Sequence, residues 1–573
     1  MTFIFDMLKP YKLRLSFALL LKSVAALADL MIPFLIAYMI DTQIPSLNPG
    51  DSLLPIYLNG GLMVLIALLG WMLNVTANRS SEYIASRAVE TLRSDLFLAI
   101  ENLSSQDIDT FSKPSLISRM TTDTYNIYRA AAIIQRLGIR APVLLIGGIL
   151  LSFSFDAVLT FVMIAMLPFV SLIIFQASKK GIPLYKNNQF LMDQLIRKLR
   201  EFITGARVVR ALSMNKYEMD QFRNINQTSN ESEQYANKVM ARVNPMMNIV
   251  MNIGLVIVLV IGAYRLSLGF TQIGAIMAFV TYFTIILNAM MGITRIFVLS
   301  SRAAASSERV EEVLHTDIDI DNGTSLYETK KHVPHIEFNH VTFSYLKKTK
   351  QLKDVSFKLF KGQKFGIIGA TGSGKSTIAK LLLRLYDVDQ GNIHIFGKNI
   401  KDYDLKSLRQ NIGAVMQQDM IFHDDIAFNV SLNHDDQDIE RALKDAQASF
   451  VFDKEDGIHT ELTTSGTNIS GGQKQRILIS RALYKKPDIL ILDDATSALD
   501  YQTDQHLRHA LQANYQDTTM IIIAQRIASI KHCDLIIYLD HGKVIDIGDH
   551  KTLLKNNPGY QLIVKHQLGG AVL

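Results

Sequence analysis

The chain has 573 residues, enough for more than one domain, and 49% of them are hydrophobic. Its net charge of +6 is modest and requires no nucleic-acid partner, while a mean hydropathy of +0.17 points to a membrane. The single cysteine, Cys533, excludes a framework of intrachain disulfides, so most of the chain is expected to face a reducing cytosol.

Apolar residues are concentrated in the first 300 positions, where six runs are candidate membrane spans. A helix that crosses a bilayer needs roughly 20 mostly apolar residues, and the shorter runs reach that length with their flanks. The first run is too long for the core of a signal peptide and lacks a convincing small-residue cleavage site, so we expect it to be retained. The runs cover residues 16–40, 60–75, 141–153, 157–175, 248–264 and 273–293.

The segments between these runs differ in charge. Segment 41–56 contains neither Lys nor Arg, and nor does the tight turn at 153–156. Stretches 78–140 and 176–242 are rich in both and have a helical pattern. Because positive residues favour the cytosolic side, both termini should be cytosolic and the helices should extend beyond the membrane. The alternative, a large buried core, does not account for this asymmetry.

The second half contains a sequence typical of a nucleotide site. The strand-like KFGIIG (364–369) runs into GATGSGKST (369–377), which opens an apolar helix. Glycines here let backbone N–H groups surround phosphate, and the helix N-terminus adds a favourable dipole. Lys375 is predicted to reach the β- and γ-phosphates of a nucleotide, and Ser376 to coordinate Mg²⁺. A P-loop alone does not distinguish kinases, GTPases, motors and transporters. The predicted binding residues of this loop are Gly369, Thr371, Gly372, Ser373, Gly374, Lys375, Ser376 and Thr377.

The motifs around this loop resemble, in their order, those of the nucleotide-binding domain of ATP-binding cassette (ABC) proteins, and the resemblance covers roughly 336–570. It implies that Tyr345 of VTFSYL stacks on adenine. Gln417 of IGAVMQQDMIF would contact Mg²⁺ and the attacking water. Asp493, the last residue of ILILD, would hold Mg²⁺ through water, and the D-loop SALD follows at 497–500.

NISGGQKQR (468–476) resembles the signature motif of the same family, with Ile469 in place of the usual Leu. In that family each ATP lies between the P-loop of one chain and the signature of the other. The resemblance therefore implies that this chain contributes a second set of ATP-binding residues, namely Ser470, Gly471, Gly472 and Gln473.

Two positions beside the expected γ-phosphate depart from the family pattern. Asp494 stands where the family has the Glu that polarises the attacking water, and its side chain is one methylene shorter. A general base must lie within roughly 2.6–3.2 Å of the proton it accepts, directly or through one water. Gln525 replaces the usual switch His, and an amide cannot carry a transferable proton. We expect a weakened catalytic pair that leaves ATP tightly held and slowly hydrolysed.

The first half resembles the membrane domain of ABC exporters. Segments 111–124 and 199–222 are similar to the patterns that follow the second and fourth spans, although Pro114-Ser115 departs from the usual Gly. In that fold, helices extend into the cytosol and short coupling helices dock on the nucleotide-binding domains. The expected fold is an α-helical six-span membrane domain followed by an α/β P-loop nucleotide-binding domain. Its predicted parts are 1–314 (membrane domain), 315–335 (linker) and 336–573 (nucleotide-binding domain).

The resemblance implies a half-transporter in a bacterial cell membrane that exports amphipathic drugs or lipids, with its nucleotide domain in the cytosol. The catalytic pair is altered while the signature is nearly intact, and this combination resembles the weakened half of a heterodimeric exporter. One further departure lies before the signature, where Thr463-Thr464 replace the usual Gly-Glu pair. Alternatives are a homodimer that hydrolyses ATP at Asp494 and a metal-chelate or lipid transporter of the same architecture. A soluble ATPase or DNA-maintenance module is a further alternative, which the six spans disfavour.

Ionisable residues interrupt the first run at Lys22 and Asp29, which lie on nearly the same face of a helix. We expect Lys22 to snorkel toward the cytosolic surface. Asp29 lies deeper and either faces the substrate pathway, where it would attract cations, or bonds a neighbouring helix. Further candidates for the pathway, for which packing is the alternative role, lie on the fifth and sixth runs: Asn248, Asn252, Phe279, Tyr282 and Phe283.

Overall fold

A computed structural model of the chain describes residues 2–48, 51–316, 320–330, 332–433 and 438–568. The chain divides into two compact units. The first comprises Met1–Glu101 and Pro114–Thr316, and the second comprises Asn102–Lys113 and Asp317–Leu573. The predicted linker and domain ends include residues 1, 317–319, 331 and 569–573, which lie outside the described residues.

The first unit is helical. Its described part contains six helical stretches that are long and apolar enough to cross a membrane: Thr2–Gln43, Leu54–Asn102, Lys113–Phe155, Ala157–Ala211, Asn215–Ser267 and Ile273–Ile293. This confirms the six predicted spans. The helices up to residue 314 are α1 (Thr2–Leu8), α2 (Lys12–Tyr38), α3 (Leu54–Asn102), α4 (Ser105–Phe111), α5 (Lys113–Ser118), α6 (Thr124–Phe155), α7 (Ala157–Ala211), α8 (Asn215–Ala241), α9 (Val243–Ser267) and α10 (Ile273–Leu314).

Several of these helices are longer than a membrane is thick. Helix α3 has 49 residues and α7 has 55. At a rise of about 1.5 Å per residue, α3 spans roughly 70 Å, against about 30 Å for the hydrocarbon core. Much of the charged, helix-patterned stretches 78–140 and 176–242 therefore belongs to the long helices α3, α6 and α7, while the short helices α4 and α5 lie between α3 and α6.

The turn between α6 and α7, which contains no Lys or Arg, is capped by a carboxylate. Asp156 is the residue between α6 and α7. Its carboxylate accepts hydrogen bonds from the backbone N–H groups of Val158 (2.8 Å) and Leu159 (3.1 Å). Arg265 pairs with the same carboxylate at 2.6 Å. These bonds satisfy N–H groups that have no partner within the helix and place negative charge at its positive end. The two-helix turn is thereby fixed.

The aromatic candidates for the substrate pathway are packed between helices. Tyr282 is fully buried, and its hydroxyl donates to the carbonyl of Leu30 on α2 at 2.8 Å. Phe279 and Phe283 are each 1% exposed and lie in apolar clusters with residues of α7 and α9. These contacts favour the packing role over a role in binding.

Lys22 and Asp29 are both engaged with neighbouring helices. Lys22 is 4% exposed, and its ammonium donates to the amide oxygens of Asn74 (2.5 Å) and Asn78 (2.7 Å) on α3. The prediction that Lys22 snorkels is therefore wrong, because these two amides solvate the charge where it stands. Asp29 pairs with Arg140 of α6 at 2.9 Å, so its charge is compensated.

The second unit is an α/β domain, as predicted. Its strands are β1 (Ile336–Ser344), β2 (Lys350–Leu359), β3 (Lys364–Gly369), β4 (Gln390–Ile395), β5 (Lys398–Asn399), β6 (Ile412–Val415), β7 (Asp424–Asp425), β8 (Glu461–Leu462), β9 (Ile489–Asp493), β10 (Thr519–Ile523), β11 (Leu535–Asp540) and β12 (Lys543–Gly548). Its helices after residue 320 are α11 (Lys375–Leu382), α12 (Leu405–Gln410), α13 (Ile426–Ser431), α14 (Ile439–Asp445), α15 (Gly471–Tyr484), α16 (Tyr501–Asn514), α17 (Ile527–Ile530), α18 (His550–Asn556) and α19 (Pro558–Leu568).

The largest described sheet of this unit has six strands in the order β12-β11-β3-β10-β9-β6. All neighbouring pairs are parallel except β12 with β11. Every residue of β9 is buried, as expected for a parallel strand that is covered on both faces. An antiparallel sheet, β2-β1-β4-β5, and the pair β7-β8 complete the described strands.

A buried histidine joins the start of β1 to the main sheet. His335 is 0% exposed and stacks on Phe396 with ring centroids 4.1 Å apart. Its ring nitrogens bond the hydroxyls of Thr519 (2.7 Å) and Tyr327 (3.1 Å). Burial lowers the pKa of His335 to about 4, with Asp488 opposing and Lys361 reinforcing the change. The imidazole is therefore neutral at physiological pH.

We expect this histidine to make the second unit acid-sensitive. Its pKa is lower in the folded state than the unfolded value near 6.5, so stability is lost as pH falls below about 6.5. Between pH 7.5 and 5.0 the loss from this group is about 2 kcal/mol. His335→Gln should remove that part of the pH dependence. The free energy of unfolding is measured in urea at each pH, and hydrogen exchange of β1 reports the unfolding of this region.

His541→Gln is the matched control, because the side chain of His541 is 92% exposed. It should keep the wild-type pH dependence. An unchanged pH dependence in His335→Gln would contradict the assignment.

Candidate nucleotide-binding site

The strand order brings separate motifs to one edge of the main sheet. In β3, β10 and β9, Ile367, Ile523 and Asp493 lie side by side in parallel register. The carboxyl ends of parallel strands meet at the same edge, which is where ligands of open α/β sheets bind. The P-loop follows β3, Gln525 follows β10, and Gln417 follows β6 next to β9.

The P-loop has the backbone shape that its glycines predict. Gly374 adopts φ +99°, a conformation that favours glycine, and a Cβ there would lie 2.8 Å from the carbonyl oxygen of Gln351. A Cβ on Gly369 would lie 2.0 Å from the carbonyl oxygen of Leu539. Lys375 begins α11, and its ammonium donates to the carbonyls of Gly369 (3.0 Å) and Ala370 (2.8 Å).

One pocket contains most of the predicted site. The altered pair, Asp494 and Gln525, faces the same space as Lys375, and three residues that sequence reasoning missed, Gln351, Ile523 and Ala524, also contribute. The full lining is Gln351, Thr371, Gly372, Gly374, Lys375, Ser376, Thr377, Gln417, Asp493, Asp494, Ile523, Ala524 and Gln525. Of the predicted P-loop residues, Gly369 and the 3% exposed Ser373 lie within the loop and do not line the pocket.

The buried oxygens of this pocket suit a magnesium ion and a phosphate chain. Ser376 hydrogen-bonds the carboxylate of Asp493. Oδ2 of Asp493 and Oγ of Ser373 are buried and have no hydrogen-bond partner among the described residues. Hard oxygen donors are the ligands that Mg²⁺ prefers, and a hydroxyl within a P-loop can donate to phosphate. The site therefore fits the predicted metal ligands Ser376, Asp493 and Gln417.

Burial raises the energy of the charged groups in the pocket. It raises the pKa of Asp493, which the bond from Ser376 and the charge of Lys375 oppose and the charge of Asp494 reinforces. It also raises the pKa of Asp494, against the charges of Arg526 and Lys375. The pKa of Lys375 is lowered by burial, against both carboxylates. Opposite charges brought by a ligand would stabilise the ionised forms of these groups.

Asp494 has a backbone conformation unusual for its residue type. Its φ is +53°, in the left-handed region that Asp tolerates better than most residues. Its N–H donates to the carbonyl of Ile523 at 2.9 Å, which ties the end of β9 to β10. The backbone of Asp494 is thus held by strand β10, which also leads to Gln525.

Tyr345, the predicted adenine contact, belongs to an aromatic cluster beside α11. Its hydroxyl lies 3.2 Å from Oγ1 of Thr377, and the ammonium of Lys380 lies 5.2 Å from its ring centroid. The edge of Tyr386 packs against it with centroids 5.2 Å apart. Tyr386 in turn donates its hydroxyl to Asp109 at 2.7 Å. Helix α4, which carries Asp109, belongs to the second unit although it follows α3 in the chain.

The signature residues form an exposed helix N-terminus. Ser470 caps α15 by accepting from the N–H of Gln473 (3.2 Å), and the Gln473 side chain accepts from the N–H of Ser470 (2.9 Å). Gly471 and Gly472 are the first residues of α15, and the described lining of the pocket includes no residue from 470–473. The structure thus places the signature apart from this chain's own P-loop pocket.

Another glutamine of the signature helix, which sequence reasoning missed, contacts the segment after β9. The amide of Gln475 donates to the hydroxyl of Ser497 (3.1 Å) and to the carbonyl of Asp494 (3.4 Å), and it accepts from the N–H of Ala498 (2.9 Å). The helix that presents the signature is therefore bonded to the D-loop of the same chain.

The bond between Tyr386 and Asp109 should hold α4 in place. Tyr386→Phe keeps the ring against Tyr345 and removes only the hydroxyl. Because one hydrogen bond contributes about 0.5–1.5 kcal/mol, hydrogen exchange of residues 105–111 should accelerate about two- to tenfold. Tyr403→Phe is the matched control, since that hydroxyl donates to the carbonyl of Ile395. Equal exchange of α4 in both variants would contradict this prediction.

Comparison with known proteins agrees with the geometry. The family of the ABC transporter transmembrane region matches residues 15–290, and the ABC transporter family matches residues 352–497. An uncharacterized ABC transporter ATP-binding protein of Bacillus subtilis, YfiB, is 32% identical over 98% of both chains. An ATP-dependent lipid A-core flippase of Photobacterium profundum is 29% identical and covers 98% of this chain and 96% of its own.

A solved bacterial Atm1-family ABC exporter with ATP bound has the same fold, with a TM-score of 0.83 over 98% of this chain and 99% of its own, at 22% identity. The predicted fold class, six apolar helices followed by an α/β nucleotide-binding domain, is therefore confirmed. Membership of the matched families implies binding and hydrolysis of ATP. This chain belongs to the ABC transporter family.

Proposed function

We propose that this chain is one half of a heterodimeric ATP-driven exporter, and that its own ATP site hydrolyses slowly and acts as a long-lived clamp. The pocket at Lys375 carries this proposal. Asp494 and Gln525, the two residues that depart from the family pattern, line the same pocket as Lys375, Ser376 and Asp493. Both departures therefore fall on the phosphate end of one site.

The phosphate-binding side of this pocket keeps the expected residue types. When bound, ATP supplies the phosphoanhydride bond that is cleaved, and Mg²⁺ offsets the charge of its phosphates. Lys375 and the N–H groups of the P-loop would hold the phosphates, Ser376 and Asp493 the metal, and Tyr345 the adenine. Asp494 would have to activate water with a carboxylate one methylene shorter than Glu. Because residues that act as a unit fail as a unit, two changes together should impair turnover more than binding.

The exposed signature supports a role toward a partner. Residues 470–473 would complete the ATP site of a second half-transporter, and the bonds of Gln475 link that surface to the carbonyl of Asp494. The chain would thus lend a nearly intact signature to a competent site while keeping a weakened site on its own P-loop.

We propose amphipathic drugs or lipids as the exported compounds, across a bacterial cell membrane and with the nucleotide-binding domain in the cytosol. Support comes from the long apolar helices and from the relative named as a lipid A-core flippase. Asp29 is paired with Arg140, so it offers no uncompensated negative charge to a cationic substrate. A metal-chelate or lipid transporter of the same architecture is the alternative.

The decisive measurement is Mg²⁺-ATP hydrolysis by the full chain in lipid vesicles, alone and with any half-transporter encoded beside it. We expect low activity alone and high activity together. Restoring the family residues with Asp494→Glu and Gln525→His should raise the activity of the chain alone by roughly tenfold or more, since each 1.36 kcal/mol of transition-state stabilisation is worth tenfold. Lys375→Ala, which removes the phosphate contact, supplies the background rate.

Robust hydrolysis by the chain alone, abolished by Asp494→Asn, would instead mean that Asp494 is a working base. The chain would then be a homodimeric exporter.

A further inference from the structure

The last described helix of the chain packs against the switch segment, residues 525–527. Helix α19 contributes Tyr560 (0% exposed) and Val564 (1% exposed) to an apolar cluster. The same cluster contains Ala524, which precedes the switch segment, Ile527, which ends it, and Ile530, which follows it. The C-terminal helix is therefore held firmly beside the loop that carries Gln525.

Gln567, near the end of α19, bonds the backbone of the switch segment on both sides of Arg526. Its side-chain N–H donates to the carbonyl of Gln525 at 2.7 Å. Its side-chain oxygen accepts from the N–H of Ile527, also at 2.7 Å. A side-chain amide offers a donor and an acceptor together, so one residue satisfies both backbone groups.

The bonds from Gln567 lie between two fixed points of the backbone. Upstream, Ala524 is still held by the sheet, because its N–H donates to the carbonyl of Ile367 in β3 at 3.2 Å. Downstream, the carbonyl of Ile527 accepts from Lys531 at 2.9 Å within the turn of α17. Gln525 and Arg526 lie between these anchors and are exposed. The amide of Gln567 thus bridges the part of the chain that joins sheet to helix.

We infer that Gln567 is a positioning residue that fixes the backbone of the switch segment and so aims the side chain of Gln525 into the nucleotide pocket. This rests on the proposed function and on the expected position of Gln525 beside the γ-phosphate of ATP. Because ADP lacks that phosphate, the influence of Gln567 should extend to ATP and not to ADP. The C-terminal helix thereby takes part in distinguishing the two nucleotides.

The test uses the full chain alone in lipid nanodiscs, where bound nucleotide reports this chain's P-loop. Gln567→Ala removes both bonds. Gln561→Ala is the matched control, because Gln561 lies on the same helix and its amide bonds the carbonyls of Leu554 and Lys555, away from the switch segment. Hydrogen exchange of residues 524–530 and the dissociation constants of ATP and ADP are measured for both variants and for Gln525→Ala.

In Gln567→Ala we expect exchange at Ile527 to accelerate about tenfold and the Kd of ATP to rise about three- to tenfold, the effect of one or two hydrogen bonds. The Kd of ADP should stay within about twofold of wild type, and Gln561→Ala should leave all three quantities unchanged. In the double variant with Gln525→Ala, the ATP affinity should be no weaker than in Gln525→Ala alone, because a positioning residue acts only through the group it positions.

The two proposals fail in different ways. If Gln525→Ala weakens ATP but Gln567→Ala leaves the ATP affinity or the exchange at Ile527 unchanged, the positioning role is overturned and the assignment of Gln525 stands. Equal losses of ATP and ADP affinity, or additive losses in the double variant, would also overturn it, since they indicate a general structural role. If Gln525→Ala itself leaves ATP binding unchanged, the γ-phosphate role of Gln525 fails, and the positioning role fails with it.

Discussion

The nucleotide pocket depends on the parallel register of three buried strands. Ile367, Ile523 and Asp493 occupy equivalent positions in β3, β10 and β9, so the P-loop, the switch segment and the carboxylate proposed to bind magnesium start from one line across the sheet. Both faces of these strands are covered, and a shift of one residue in any of them would turn its buried side chains toward the opposite face. The positions of the residues at this edge are thus fixed by apolar packing of the strands, which itself takes no part in the chemistry.

Charge burial at this edge ties stability to ligand binding. Lys375 and Asp493 are 8% and 3% exposed. Burial lowers the pKa of Lys375 and raises that of Asp493, and both shifts favour the neutral form of the group. Opposite charges beside such groups would stabilise their ionised forms, as a metal ion next to the carboxylate and a phosphate next to the ammonium would do. A chain that hydrolyses slowly would keep these compensating charges in place for longer, which agrees with a site that serves mainly to hold its domain in the ATP-bound state.

Features with a local signature could be predicted from the sequence, and features made by distant pairs could not. Apolar runs predicted the spans, and the glycine pattern predicted the P-loop, because both are short-range properties of the chain. The burial of Lys22 could not be predicted from the sequence, because its partners, Asn74 and Asn78, lie more than 50 residues away on another helix. Tyr386 and Gln567 carry no pattern of their own either. Their roles arise from contacts with Asp109 and Gln525 that only the fold brings together.

The grouping of α4 with the nucleotide-binding unit has a practical consequence. This helix begins with a capping box between Ser104 and Asp107 and touches the aromatic cluster through Asp109, yet it is encoded some 200 residues before the rest of the unit. A fragment cut at the covalent domain boundary near residue 317 would keep every nucleotide motif and still lack α4. Tyr386 would lose its carboxylate partner, and nucleotide affinities measured on the excised fragment would describe a site with one of its supports removed.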